Sequence, residues 1–333
     1  MAASFAFRKS AQQTSFRMTR TWWIAYVVVS VWMMGLVAGC ESEPDSAASR
    51  ATTQPHYVVT LPVLASIVAP VAEGRATTRT VLSAGDSPHT FEPRPSTVRA
   101  VRQSQALFYG ADVLDGWAAN MQAPRSHALL DLVPAQYVHS FPEEESHQPL
   151  QGAASHDTTH SHGAGTLDPH FWLDPLAVRA LVPPLADTLC TADPEGCSTY
   201  QSNAEALTDS LQALHRELEE VLAPVRDRPF MASQPFLNYF VRRYGLSQVA
   251  VVETSPAHEP SARRIHQLTQ RAQAADVRAV VYQRQLPATA AQAVAEGAGL
   301  PMVALDPLGG ADADTYMALM RHNARMLREA LAE

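Results

Sequence analysis

One long amphipathic helix constrains the fold more than any other feature of the sequence. Within residues 198–223, apolar residues recur at alternating steps of four and three, which places them on one continuous stripe. The stripe consists of Leu207, Leu211, Leu214, Leu218 and Val221. At 1.5 Å per residue such a helix would span about 39 Å, the diameter of a domain. We therefore expect this helix to brace two parts of the molecule.

Short apolar runs alternate with helical stretches on both sides of this helix, a pattern typical of β-α-β units. The predicted strands are 57–61, 78–83, 106–109, 128–132, 230–233, 249–253, 279–282 and 302–305; the predicted helices are 63–72, one capped by Ser96, 234–243, 261–274, 289–298 and 314–331. The predicted fold class is α/β. It comprises an N-terminal lobe at 56–197, the linking helix at 198–223 and a C-terminal lobe at 224–333.

The first 39 residues predict an export signal. Basic residues at positions 8, 9, 17 and 20 precede an apolar run at 22–38, and acidic residues follow Ala38-Gly39-Cys40. This ending resembles the bacterial lipobox, so we expect Cys40 to be lipid-modified and 40–55 to form a flexible tether. A plain signal anchor with an incidental cysteine is the alternative.

Charge and cysteine content narrow the classes of function. The net charge is −8 and the sequence has no block of lysine or arginine, which argues against nucleic-acid binding. Export implies an oxidising compartment, where Cys190 and Cys197, on either side of a turn-forming stretch, favour a local disulfide. A cysteine metal pair is the alternative, but it lacks a second pair of soft ligands.

Residues 141–166 differ in character from the rest of the chain. They are acidic and contain almost no apolar side chain, which predicts a mobile loop of about 25 residues. Its histidines are His147, His156, His160 and His162. We interpret this loop as an auxiliary, weakly binding collector of metal ions. A solvated linker that binds zinc only incidentally is the alternative.

Two further histidines lie in rigid local settings. His89 belongs to Ser-Pro-His-Thr-Phe-Glu-Pro at 87–93, and His170 to Asp-Pro-His-Phe-Trp-Leu-Asp-Pro at 168–175. A proline precedes each histidine, and a rigid backbone favours metal ligation because a mobile ligand loses affinity to entropy. Either segment alone would favour a core or capping histidine, and only the repetition of the pattern favours a metal site.

These two segments resemble the paired ligand motifs of the zinc and manganese ABC-transporter substrate-binding lipoproteins, the cluster A-I solute-binding proteins. The resemblance extends over nearly the whole mature chain and includes Leu-Asp-Pro-Leu at 305–308. It implies two Rossmann-like lobes joined by a rigid helix, small lobe movements, and one metal in the cleft with two ligands from each lobe. Carried over by motif, His89 and His170 are first-lobe ligands, and Asp306 is a second-lobe ligand.

The chain departs from this family at the remaining ligand. The family has histidine in zinc binders, and often glutamate in manganese binders, five residues before the tyrosine of a Tyr-Phe pair. Counting back from Tyr239 gives Gln234, whose neutral amide is a weaker donor. Three consequences are open. Gln234 binds the metal through its amide oxygen, or a water or His258 completes the ligand shell, or the site has lost affinity. Two imidazoles and a carboxylate still match the three-ligand zinc site, so Zn²⁺ is predicted, with Mn²⁺ as the alternative.

The predicted function is that of an extracytoplasmic, monomeric solute-binding lipoprotein, anchored to a bacterial membrane in the periplasm or at the cell surface. It would deliver zinc to an ABC permease and its ATPase. In the family an acidic, His-rich loop marks zinc binders more than manganese binders. A surface adhesin or metal buffer of the same fold is the alternative. A zinc hydrolase is less favoured, because the sequence has no His-Glu-x-x-His motif, and we predict no enzymatic activity.

Overall fold

Two four-stranded parallel sheets form the framework of the molecule in the computed structural model. The structure describes residues 54–142, 166–253, 260–310 and 313–332. The predicted signal, most of the tether with Cys40, the four loop histidines and His258 lie outside the described residues. Within the described part of the chain, no helix combines the length and the apolarity that a membrane crossing requires.

The first sheet has the strand order β2-β1-β3-β4, and its central strands are apolar because helices and loops cover both faces. Strand β2 lies at the edge and reads Thr-Thr-Arg-Thr, with alternating half-buried and exposed side chains. The elements of this lobe are β1 His56–Val59, α1 Pro62–Ala72, β2 Thr77–Thr80, α2 Pro95–Arg102, β3 Ala106–Tyr109, α3 Asp112–Asp115 and β4 Ser126–Ala128.

Two helices follow, α4 Pro175–Ala192 and α5 Cys197–Leu222, and α5 is the predicted brace. It packs against α1 of the first lobe and also against the last helix of the second lobe, Tyr316–Ala332. Four of the five predicted stripe residues are buried, and Val221 is only partly buried. The helix therefore lies in a hydrophobic core that includes residues of both lobes, as its apolar stripe indicated.

The second sheet repeats the order of the first, β6-β5-β7-β8, so the predicted α/β class with two parallel sheets is confirmed. The elements of this lobe are β5 Phe230–Ala232, α6 Asn238–Tyr244, β6 Gln248–Val251, α7 Ala262–Ala274, β7 Ala279–Gln283, α8 Thr289–Ala298, β8 Met302–Leu305 and α9 Tyr316–Ala332.

Three local predictions are wrong. Ser96 does not cap α2: the helix begins one residue earlier at Pro95, whose fixed φ suits the first helical position. The strand predicted at 128–132 ends at Ala128, and 129–132 form a 3-10 turn. The helix predicted from Gln234 begins only at Asn238, because Pro235 disfavours helical backbone at the residue before it. Gln234 thus lies in a loop between strand and helix.

A disulfide between Cys190 and Cys197 closes the turn between α4 and α5, which is the arrangement favoured over a cysteine metal pair. Inside this turn, Asp193 accepts hydrogen bonds from Arg75 Nε and Nη2, both at 2.6 Å, and from the Tyr200 hydroxyl at 2.7 Å. The Arg75 guanidinium lowers the pKa of the Asp193 carboxyl. The start of the brace is therefore held to the first lobe by polar as well as covalent links.

We expect a variant with serine at both Cys190 and Cys197 to lose roughly 2 kcal/mol of unfolding free energy, because the bridge closes a short loop that restricts the unfolded chain only modestly. The two residues are seven positions apart. Urea denaturation of the variant and of the oxidised parent measures this difference. A loss above about 4 kcal/mol would show that the bridge also maintains the native packing around Asp193.

Candidate metal centre

The predicted second-lobe ligands lie in loops at the carboxyl ends of parallel strands. Asp306 directly follows β8, and Gln234 is the second residue after β5. Two more polar residues occupy corresponding places, Glu253 after β6 and Gln285 after β7. Because the four strands run in the same direction, these loops lie at one edge of the sheet, where ligands bind in open α/β folds. The second lobe therefore presents four oxygen-bearing side chains there.

Asp306 is held rigidly by its neighbours and is 4% exposed. Its backbone N–H donates to Asn323 Oδ1 at 2.9 Å, and Asn323 Nδ2 donates to its carbonyl at 2.6 Å. The backbone N–H groups of Leu308 and Gly309 donate to its Oδ1 at 3.0 and 2.9 Å. A carboxylate fixed in this way has the preorganisation that metal binding rewards.

Two side chains from the end of β7 also face Asp306. Gln285 Nε2 donates to its Oδ1 at 2.6 Å, and Arg284 Nη1 lies 3.8 Å from its Oδ2. Among the described residues, the other amide atom, Gln285 Oε1, is buried without a hydrogen-bond partner. A buried, unpartnered acceptor beside a carboxylate suits a site that receives a cation. No motif in the sequence marks Arg284 or Gln285.

His170 is buried against Asp168, which is fully buried. The His170 ring Nδ1 lies 2.7 Å from Asp168 Oδ1, and the backbone N–H of His170 donates to the same oxygen at 3.0 Å. In the neutral imidazole, an Nδ1–H that donates to this carboxylate leaves the lone pair of Nε2 available to a metal. This carboxylate-histidine pairing is the one that orients metal-ligating imidazoles.

Trp172 links the His170 segment to the Asp306 segment across the two lobes. Its indole Nε1 donates to the carbonyl of Pro307 at 2.8 Å, and its own carbonyl accepts from the Tyr316 hydroxyl at 2.7 Å. Its side chain is fully buried, with the ring centroid 5.6 Å from that of His170. The two predicted ligand segments are thus hydrogen-bonded to one another through a packed indole.

A bidentate ion pair makes a second link between the lobes. Arg243 of α6 donates through Nε and Nη2 to the two carboxylate oxygens of Asp174, at 2.7 and 2.6 Å. Asp174 also caps α4 by accepting the Leu176 backbone N–H at 2.9 Å. Asp168, not Asp174, is therefore the hydrogen-bond partner of the His170 ring, and Asp174 forms the helix cap and the ion pair.

A third link lies beside the first two, where the Tyr239 hydroxyl accepts the backbone N–H of His139 at 3.0 Å. The two rings lie 4.8 Å apart. Burial raises the pKa of the Tyr239 phenol, so it stays protonated. Burial, followed by the nearby Arg242 cation, lowers the pKa of His139 and favours its neutral form. The three links together leave little freedom for the lobes to separate on this side.

His89 lies in the loop between β2 and α2 and is half-buried. The loop packs on Trp117, whose Nε1 donates to the Pro88 carbonyl at 3.1 Å and whose ring lies 5.0 Å from that of Phe91. At Ala84 the same loop abuts Gly310 of the second lobe. Gly310 has φ +123°, and a Cβ there would lie 2.3 Å from the Ala84 Cβ, so only glycine fits.

Gln234 is 4% exposed and points its amide nitrogen at an acidic neighbour. Its Nε2 donates to Glu253 Oε2 at 3.3 Å. Glu253 was not among the predicted ligands. Sequence reasoning missed it because no motif marks it: it lies 19 positions away in the chain, and only the pairing of β5 with β6 makes the two residues neighbours.

The ionisable predicted ligands are not gathered around one point. Across the described ranges of the chain, no three His, Cys, Asp or Glu side chains form a group that could hold a metal, and this applies to His89, His170 and Asp306. Three predicted ligands pair with side chains of their own lobe: His170 with Asp168, Asp306 with Gln285, and Gln234 with Glu253. The ligand set, including Gln234, stays a prediction for the metal-bound protein.

Comparison with known proteins decides the family. Residues 58–330 match the family described as zinc-uptake complex component A, periplasmic. The chain belongs to this zinc-uptake family. The predicted resemblance is therefore confirmed over nearly the whole of the chain that follows the predicted tether.

Curated relatives of the zinc-uptake family are similar at the sequence level. The zinc-binding lipoprotein AdcA of Streptococcus pneumoniae is 27% identical over 269 residues, covering 78% of this chain and 52% of AdcA. The high-affinity zinc uptake system protein ZnuA of Brucella suis biovar 1 is 27% identical over 315 residues, covering 86% of this chain and 94% of ZnuA. The chain spans about half the length of the AdcA-type relatives that it matches.

Solved structures of the same type share the fold. The periplasmic zinc-binding protein TroA from Treponema pallidum superposes with a TM-score of 0.69 at 19% identity, covering 84% of this chain and 100% of TroA. The laminin-binding protein Lmb of Streptococcus agalactiae, described as having adhesin and metal-transporting activity, gives 0.66 at 22% identity, covering 83% and 99%. The two-lobed fold of the zinc-uptake family is thus the fold of this chain.

Proposed function

We propose that this protein is an extracytoplasmic zinc-binding component of an ABC importer. It captures one Zn²⁺ between its lobes and delivers the ion to a permease that is powered by its ATPase. Zinc is the cargo, so no catalytic step is assigned to the chain. Lipid attachment at Cys40 would keep the protein at the membrane surface near the permease.

The hydrogen bond from Trp172 to Pro307 is the observation that most directly supports a metal site between the lobes. It connects the His170 segment of one lobe to the residue after Asp306 of the other. An imidazole oriented by a buried carboxylate and a rigidly held aspartate therefore belong to one linked unit. Imidazole nitrogen and carboxylate oxygen are both good ligands for zinc. His89 and Gln234 would complete the set from loops that border the same cleft.

The braced architecture bears on how the ion would be released. The helix α5, whose apolar stripe is mostly buried, and the three hydrogen-bonded links oppose wide hinge opening of the lobes. Transport would then depend on small movements of the ligand loops rather than on rotation of whole lobes.

Zinc titration of the mature protein, combined with zinc uptake by cells that carry or lack its gene, tests the proposal. We expect one tightly bound Zn²⁺ per chain, no zinc-dependent hydrolysis, and impaired uptake without the gene at low external zinc. Tight binding with unimpaired uptake would instead favour an adhesin or metal buffer. Metal-dependent turnover of an ester or amide would favour a hydrolase.

Deleting residues 147–162 tests the proposed role of the loop histidines. We expect the deletion to remove weak zinc binding above one ion per chain and to leave the tight ion in place, because the sequence predicts a mobile loop and histidines in such a loop would bind without preorganisation. Equilibrium dialysis across a range of zinc concentrations separates the two classes. Replacing the same residues by a Gly-Ser segment of equal length is the control for chain length. Loss of the tightly bound ion would show that the principal zinc site depends on the loop histidines.

A further inference from the structure

We propose that Glu253 is a ligand of the metal and supplies the negative charge that Gln234 does not. This inference rests on the proposed function. It concerns the one position at which the chain departs from the predicted ligand pattern, where a neutral amide stands in place of an imidazole or a carboxylate.

The backbone places Glu253 beside the Gln234 position. Strands β5 and β6 are paired in parallel, and this pairing continues beyond their ends. The backbone N–H of Val252 donates to the Ala232 carbonyl at 2.9 Å, and that of Glu253 donates to the Ser233 carbonyl at 2.8 Å. Gln234 is the next residue, so the two side chains leave adjacent extended segments at the same edge of the sheet.

The orientation of the Gln234 amide toward Glu253 favours the carboxylate, and not the amide, as the metal ligand. The Gln234 amide turns its nitrogen, a donor that cannot bind a cation, toward Glu253 Oε2 at 3.3 Å. The carboxylate therefore lies within one hydrogen bond of the group that occupies the predicted ligand position. Glu253 is half-buried, and on zinc binding its Oε2 would exchange the amide N–H for the ion.

Charge favours the carboxylate over the amides nearby. With neutral His89 and His170 and one ionised Asp306, a bound Zn²⁺ keeps one uncompensated positive charge. Glu253 cancels this charge, whereas Gln234 and Gln285 leave it unchanged. A partly buried charge is costly unless it is paired, so the carboxylate is the stronger donor to the ion.

The test is zinc and cobalt binding by the mature protein with single substitutions. We expect E253Q, which keeps the size of the side chain and removes its charge, to weaken zinc binding by about 100-fold or more. Q234A should weaken it by less than about tenfold. The visible absorption spectrum of bound Co²⁺, which reports its ligands directly, should change more in E253Q than in Q234A.

Two further variants make the result specific. E253D keeps the charge on a shorter side chain and should retain affinity within about tenfold of the parent. E205Q makes the same chemical change on an exposed surface of α5 and should alter neither affinity nor spectrum.

The inference is overturned if E253Q binds zinc as the parent does with an unchanged Co²⁺ spectrum, or if Q234A shows the larger losses. Failure of the proposed function looks different, because H170A and D306A would then also retain the tight ion. Loss of binding in H170A and D306A, with E253Q unaffected, rejects Glu253 alone.

Discussion

Replacing Arg243 by methionine is expected to lower the free energy of unfolding by about 3–5 kcal/mol, because it leaves a buried carboxylate without its counter-charge. Asp174 has a side-chain exposure of 1% and receives two hydrogen bonds from the Arg243 guanidinium. Methionine fills a similar volume but donates nothing. The lost ion pair also joins the two lobes, so urea denaturation near neutral pH should show both lobes unfolding at lower denaturant.

The matched control is the same substitution at an exposed ion pair. Arg278 pairs with Asp276 at 2.7 Å, and the Asp276 side chain is 79% exposed. Arg278→Met should cost less than about 1 kcal/mol, because solvent already screens that pair. Equal losses in the two variants would mean that burial of Asp174 does not set the energy of its ion pair.

Replacing His170 by alanine is expected to weaken zinc binding by more than about 100-fold, because it removes a proposed ligand and not merely a group that orients one. The imidazole is oriented by the fully buried Asp168, and no other nitrogen of its segment can take the place of Nε2. Competition against a zinc chelator of known affinity measures the change. The circular dichroism spectrum of the variant should match that of the parent.

His215 provides the control for His170. It is 8% exposed, against 7% for His170, and lies on the brace helix with its ring 5.8 Å from that of Tyr244. His215→Ala removes an imidazole of equal burial that belongs to no predicted ligand motif, so zinc affinity should stay within about threefold of the parent. Similar loss of zinc in the two alanine variants would attribute the effect of His170→Ala to disturbed packing.

Local patterns in the sequence predicted the fold well where one period dominates. The apolar stripe of α5 is a strong helical signal, and the segments of α7, α8 and α9 were placed to within two residues. The failures fall where proline and short apolar runs compete with periodicity. The helix predicted to be capped by Ser96 begins at Pro95. The helix predicted to begin at Gln234 begins only at Asn238, after Pro235.

The sequence alone determined the alternation of strands and helices, the brace between two lobes, and the family to which the motifs around His170 and Asp306 belong. These features are carried by residues close together in the chain. Only the tertiary structure decided that Asp168 and not Asp174 holds the His170 ring, and that Trp172 reaches Pro307. It also decided that Glu253 lies against Gln234, because parallel pairing joins strands whose order no local periodicity encodes.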